Sequence, residues 1–479
     1  MHKYIHSLML SLFAATIAYS GDSVDEFNEL SLIGKWENVA NSELLYFYRK
    51  DNSSQLMLNR YQLTPKSFLL EQNPIELSQN DFDAIQVKNG CLEADEQEFH
   101  RTNRELNIYP SKNCRALDVF DVLVENFTQH YAFFELRGVD WPELSASYSK
   151  QISYATTEKG LFEIFKSMLS ELRDNHVCLV QGLSEESGAY YGFYLRPEFN
   201  EKLEKHMLGA DVPKMSVDEY FDELSELAAT KIAASRLSSN QKRDGLVFGL
   251  LRGHENIGYL NIINMKDISV EAIDQAIALY NKRRITGLMI DVRFNMGGDD
   301  DLALAVAERF ATRRTLVLST ETYYGAGSKL EASHRYLEPK GKKQIWNKDI
   351  KIAVLTSPVT ASAAEAFVVA TSALSNVTRV GDTTMGIMSD QFARVLPNGW
   401  FVTLSNQMNY GPDGRLYENI GVPVHVATEF PFYGLSKRVV DQGIVIATDI
   451  LQTQLSSFNI HKEKIVWTWA KQDFGTNFD

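Results

Sequence analysis

Lys351-Ile-Ala-Val-Leu-Thr-Ser-Pro-Val-Thr-Ala-Ser362-Ala-Ala-Glu365-Ala-Phe-Val-Val-Ala-Thr371 is the stretch on which the reading of the whole chain turns. It opens with an apolar run, Ile352 to Leu355, of the length and type of a buried strand. Thr356, Ser357 and Pro358 then make a turn, and the small residues after it, with Ala364, Phe367, Val368 and Thr371 at helical spacing, predict a helix. Ser362 therefore belongs at a strand-to-helix junction, in the first turn of that helix. Backbone N–H groups there lack intrahelical partners, and the helix dipole favours negative charge beside them. A serine at such a place commonly serves as a cap, and it is also where a nucleophile is well served.

Outward from this unit, strands and helices alternate from about residue 255, which predicts a β/α layered core. Ile257 to Ile263, Gly287 to Arg293 and Thr315 to Leu318 read as strands, and Val270 to Asn281 and Asp301 to Ala311 as helices. Between Arg293 and the second helix lies Phe294-Asn-Met-Gly297-Gly298-Asp299, a turn whose glycines let backbone N–H groups face a ligand. The run Asp299-Asp300-Asp301 is explained by the preference of helix starts for acids, and no metal is expected. Upstream, Phe120, Val124, Phe127 and Tyr131, and then Leu161, Ile164, Phe165, Met168 and Leu172, recur at helical spacing. The second of these helices runs into Asp174-Asn175-His176, just before an apolar strand, Val177 to Val180. Residues 25–115 carry short apolar runs between turn residues, the pattern of a small antiparallel sheet or barrel.

The chain has 479 residues, enough for two or three domains with their own cores. Hydrophobic content of 44% and charged content of 23% are those of globular protein. A formal net charge of −14, with no compensating Lys/Arg run, speaks against a nucleic-acid partner. Lys3, the apolar run Leu8 to Ala18 and the small residues Ala18 and Ser20 read as a secretory signal, too short for a membrane span, with cleavage after Ser20. Export, to a periplasm or the outside, follows. In that compartment Cys91 can pair with Cys114, leaving Cys178, and no cysteines have zinc-ligand spacing.

Five motifs occur in order: Leu172-x-Asp-Asn-His176, Asp291-x-Arg-x-Asn-x-Gly-Gly298, Thr360-Ala-Ser362-Ala-Ala-Glu365, Gly381-Asp-Thr-Thr-x-Gly386 and Tyr417-Glu418-Asn-x-Gly-Val-Pro423. The series resembles the S41 family of serine peptidases, the tail-specific and tricorn-core type, and the likeness runs from about Ala116 to Leu451, including Tyr131 to Trp141. It implies an α/β (α+β) multidomain protein with a crotonase/ClpP-like ββα-spiral catalytic core, a helical N-terminal part and a small β-rich N-terminal domain. The expected division is a signal peptide at 1–20, a β-rich domain at 21–115, a helical part with the His motif at 116–183, a connector or cap at 184–254, the catalytic core at 255–455 and a tail at 456–479.

Family members of the C-terminal processing kind use a Ser/Lys dyad, the Lys lying in a Gly-Lys-Gly context. Here the segment reads Gly386-Ile387-Met388, so the resemblance lies closer to the tricorn-like Ser/His/Glu branch. On it, Ser362 is the nucleophile, His176 the general base and Glu418 the carboxylate that orients the imidazole. The oxyanion donors would be the N–H of Ala363 and one from Gly297 or Gly298. Asn175 stands where the tricorn-type tetrad has a serine, and is the candidate for relay support. No cofactor is implied, and the expected partner is a peptide or unfolded protein. No peptide-presenting PDZ insert is evident in 184–250. The alternative is a non-catalytic protein that binds hydrophobic ligands or peptides on the same scaffold. An esterase is disfavoured because no Gly-x-Ser-x-Gly elbow occurs.

Overall fold

The computed structural model describes residues 33–38, 43–49, 56–63, 69–71, 75–76, 86–88, 91–94, 97–102, 115–181, 188–192, 194–208, 220–221, 223–224, 237–323, 331–432 and 441–452. The signal segment and Cys114 of the expected disulfide lie outside them.

The architecture is α/β in several layers, as the alternation predicts. Its centre is a seven-stranded sheet in the order Leu237–Arg243, Leu246–Leu251, His254–Ile262, Gly287–Asp291, Lys351–Thr356, Val377–Gly381, Val426–Ala427. The first three strands pair antiparallel, and from His254–Ile262 onward every pairing is parallel. Parallel strands have to be covered on both faces, which is why Gly287–Asp291 and Lys351–Thr356 read as near-continuous apolar runs. Helices Val270–Arg283, Asp300–Glu308 and Ala363–Ser372 bury Ile273, Ile277, Leu304, Phe367 and Val368 against one face. Helix Gln442–Gln452 covers the other with Ile444, Ala447 and Leu451.

The sheet reaches further upstream than residue 255. Leu237–Arg243 and Leu246–Leu251 form a hairpin through Asp244 and Gly245, both at positive φ (42° and 74°), a turn that suits the twist of paired strands. Segment 237–251, read from the sequence as connector, is thus part of the central layer.

Helices Ala116–His130, Trp141–Ser149 and Glu158–Ser170 pack around Phe127, Phe165 and Trp400. The second and third start on capping residues: Asp140 accepts from Glu143 N–H, and Thr157 from Gly160 N–H. They lie on a four-stranded sheet ordered Ala189–Tyr191, Cys178–Val180, Phe401–Ser405, Gln391–Val395. Strands Glu331–Leu337, Thr315–Thr322 and Gln407–Tyr410 form a third sheet. Between Gly34 and Arg101 the strands form an eight-stranded antiparallel sheet around Trp36, Phe47, Leu92 and Phe99. Among the described residues no helix is long and apolar enough to cross a membrane.

Candidate active site

The site lies where two neighbouring parallel strands end at their carboxyl edges, the place at which open α/β sheets gather ligands. After Asp291 the chain turns through Arg293 to Gly298, and after Thr356 it turns through Ser357 to Ser362. The two turns are stitched together: Ala361 N–H donates to the Asn295 carbonyl at 3.1 Å, Thr360 Oγ1 to that of Val292 at 2.9 Å, and the Ser357 hydroxyl to that of Arg293.

Ser362 is the N-cap of helix Ala363–Ser372, one position before its first turn. Its φ is +52°, a region that L side chains seldom occupy and that persists only where the surroundings enforce it. Glu365 follows at the capping-box spacing, and its Oε2 accepts the Ser362 N–H at 3.3 Å. The Ala363 N–H has no acceptor among the described residues.

Gly297 and Gly298 adopt φ of +104° and +145°. A Cβ on Gly297 would lie 2.7 Å from the Ser362 Cβ, so only glycine lets this turn approach the serine. The Gly297 N–H is taken by Asn295 Oδ1 at 2.8 Å, whereas that of exposed Gly298 has no acceptor among the described residues. Asp299 caps helix Asp300–Glu308 by accepting from Asp301 and Leu302 N–H, in keeping with the helix-start reading of the acidic run.

His176 is buried, between helix Glu158–Ser170 and strand Cys178–Val180. Its backbone N–H donates to Asp174 Oδ1 at 2.8 Å, and its carbonyl accepts from Thr403 Oγ1 at 2.7 Å. Burial holds the imidazole below its ordinary pKa. The Asp174 charge and the Ser389 backbone carbonyl work the other way, and the Arg137 charge works with burial. Nδ1 is buried without a partner among the described residues.

Glu418 is also buried, and its carboxylate is fully engaged without the imidazole. Oε1 accepts from Arg137 Nη2 at 2.9 Å, and Oε2 from the Met388 and Ser389 N–H groups at 2.8 and 3.2 Å. Burial raises it to about 8, helped by the Asp174 charge and opposed by Arg137. The structure thus brings Glu418 to His176 through the Met388–Ser389 backbone, and not by the direct carboxylate–imidazole bond that the triad picture implies. Asn175 is turned elsewhere: its amide pairs both ways with Tyr194 (Nδ2 to the carbonyl at 3.0 Å, Oδ1 from the N–H at 2.6 Å) and touches neither carboxylate.

Loop 384–389 joins the pieces. Glu365, fully buried, accepts from Thr384 Oγ1 at 2.5 Å and from Gly386 and Ile387 N–H at 2.8 Å each, and Glu418 takes the next two amides. Two buried carboxylates therefore hold one loop, Glu365 on the serine side and Glu418 on the histidine side. Sequence reading missed Glu365, Arg137 and Asp174 as site residues. Their signal was spacing for Glu365, and for the others only the quoted motifs around them.

Residues 256–428 match peptidase family S41, and residues 117–170 match the tricorn protease C1 domain. Over 178 residues the chain is 27% identical to the carboxy-terminal processing protease CtpA of Bacillus subtilis (strain 168), covering 37% of this chain and 36% of that one. It is 25% identical over 183 residues to CtpB of the same organism, covering 38% and 36%. The match thus spans little more than a third of the length of these curated relatives. A solved structure from Parabacteroides merdae ATCC 43184, provisionally described as a peptidase, superposes with a TM-score of 0.54 at 23% identity, covering 71% of this chain and 98% of that one. That likeness is one of fold. The resemblance to family S41 drawn from the motifs is borne out by both family matches.

Proposed function

We propose that this chain is an exported serine-type peptidase that acts on peptides or unfolded protein through Ser362. One observation carries the reading: a serine at positive φ on a helix N-terminus, closely approached by the Gly297 turn, where the backbone N–H groups of Ala363 and Gly298 have no acceptor among the described residues. Donors so placed are aimed at charge that develops on a carbonyl oxygen under attack. His176, held below its usual pKa and so neutral near pH 7, removes the serine proton and returns it to the leaving amine. Glu418 acts as the carboxylate behind it, by fixing the Met388–Ser389 backbone against the ring. Ile387 supports the Ser/His/Glu assignment, because its side chain cannot take a proton where the Ser/Lys members carry lysine, and its N–H is bound to Glu365.

The test is a fluorophosphonate probe on the full chain, read by peptide mapping. An adduct on Ser362 that is lost in Ser362→Ala is expected, with His176→Ala slowed on the order of 10³-fold. Labelling should fall as pH drops below the ordinary histidine range, where the imidazole becomes protonated. A folded protein that takes no label at any pH would favour the ligand-binding alternative.

A further inference from the structure

Beneath the imidazole, one buried cation faces two buried carboxylates. The Arg137 side chain is 4% exposed, Asp174 0% and Glu418 1%. Arg137 Nη2 donates to Glu418 Oε1 at 2.9 Å and lies 3.4 Å from Asp174 Oδ2, while Nη1 donates to the Arg173 carbonyl at 2.7 Å. Tyr131 Oη donates to the same Asp174 oxygen at 2.9 Å. Each carboxylate in turn fixes one part of the site. Asp174 holds the His176 backbone, and Glu418 holds the loop whose Ser389 carbonyl faces the ring. Arg137 comes from a third element, the turn after helix Ala116–His130, and is the group that binds these two parts to each other.

We propose that Arg137 is a positioning residue whose charge clamps Asp174 and Glu418 together and so sets where His176 and loop 384–389 stand relative to Ser362. A plain packing residue would act through its volume. A clamp acts through its charge, because removing it leaves two buried carboxylates to repel each other without compensation. The groups facing Glu418 are Arg137, Asp174 and Glu365. Of these only Arg137 favours its ionised form, together with the Met388 and Ser389 amides.

The catalytic half of this inference rests on the peptidase reading, and its electrostatic half does not, so the experiment has two readouts. The full-length wild type, Arg137→Met, Glu418→Gln and the double variant are compared by fluorophosphonate labelling of Ser362 and by thermal denaturation across pH. Arg137→Met should label about 10²-fold more slowly, as expected when a catalytic group is displaced by an ångström or so. On the Glu418→Gln background its extra effect should be far smaller.

Glu418 loses its proton at its ordinary value in the unfolded chain and at about 8 in the fold, so stability declines as pH rises between the two. Loss of Arg137 carries that decline to higher pH. The melting deficit of Arg137→Met against wild type should therefore widen above pH 8 or so, and should lose this pH dependence on the Glu418→Gln background. Should Arg137→Met not fold, Arg137→Lys, which keeps the charge, should show a deficit that is flat with pH. Penalties that multiply in the double variant, or a deficit of Arg137→Met that does not vary with pH, would overturn the clamp. A folded wild type that never labels would refute the peptidase reading, and the melting series would still decide whether Arg137 compensates Glu418.

Discussion

The Glu365 carboxylate is fully buried yet answers four donors: two loop amides, the Thr384 hydroxyl and the Ser362 N–H. Burial pushes its pKa up, and these bonds push back. At this scale the setting of the proposed nucleophile depends on a side chain buried beneath the loop it holds. Glu365→Ala would strand the donors, at about 1–3 kcal/mol for each one left buried and unpaired. The expected result is a lower melting temperature together with much slower labelling of Ser362. Glu365→Gln keeps the shape but turns an amide N–H₂ toward donors, and should fall between alanine and wild type. Wild-type melting and labelling in Glu365→Ala would show that the loop is held by other contacts. The sequence made Ser362 visible because strand, turn and helix signals meet there. It did not make Glu365's role visible, since the partners are backbone groups some twenty positions downstream.

Among the elements, strand Gln391–Val395 forms one edge of the four-stranded sheet. Gln62, from the N-terminal sheet, covers its end as a strand would: Nε2 donates to the Val395 carbonyl at 3.0 Å, and Oε1 accepts the Val395 N–H at 2.9 Å. That contact links the β-rich sheet to the same four-stranded layer that continues from His176 into Cys178–Val180. Gln62→Ala should speed hydrogen exchange at the Val395 amide and lower the melting temperature modestly, and unchanged exchange there would show that the docking does not protect this edge. Patterning explains which elements were legible. Gly287–Asp291 and Lys351–Thr356 announce themselves as unbroken apolar runs because both their faces are covered. Leu237–Arg243 hides behind Ser, Asn, Gln, Lys and Arg, although Asp244-Gly245 ahead of an apolar run was a hairpin signal. Gln62, and Arg137 with its partner Glu418 281 positions away, form no local pattern at all. Such contacts are set by how elements dock, and periodicity carries no record of that.

Across the whole molecule, histidines buried in their neutral form should govern the response to acid. His130 is 1% exposed, neither ring nitrogen has a partner among the described residues, and its ring packs edge-on against Phe392 at 5.0 Å. Burial, with the Arg394 charge added, lowers it to about 3. An unfolded chain takes up this proton near the ordinary histidine value of about 6.5, so the fold should lose stability as pH falls from there toward 3, and regain it on neutralisation. His130→Phe keeps the aromatic contact and removes the titration. Its melting temperature should decline less steeply with acid than that of the wild type, although His176, lowered in the same direction, leaves part of the slope. Equal slopes would mean that His130 is not among the groups that charge on acid unfolding.

Cys178 lies two residues beyond the proposed base, in the strand that Thr403 and Tyr191 flank, free and buried, with burial pushing its thiol up to about 12. A thiol kept protonated and covered reacts with alkylating reagents only in moments when its strand separates. The molecule therefore carries its own clock for the interior of this four-stranded layer: the rate at which Cys178 becomes alkylated counts the openings of the strand that His176 leads into, whether or not a substrate is ever turned over.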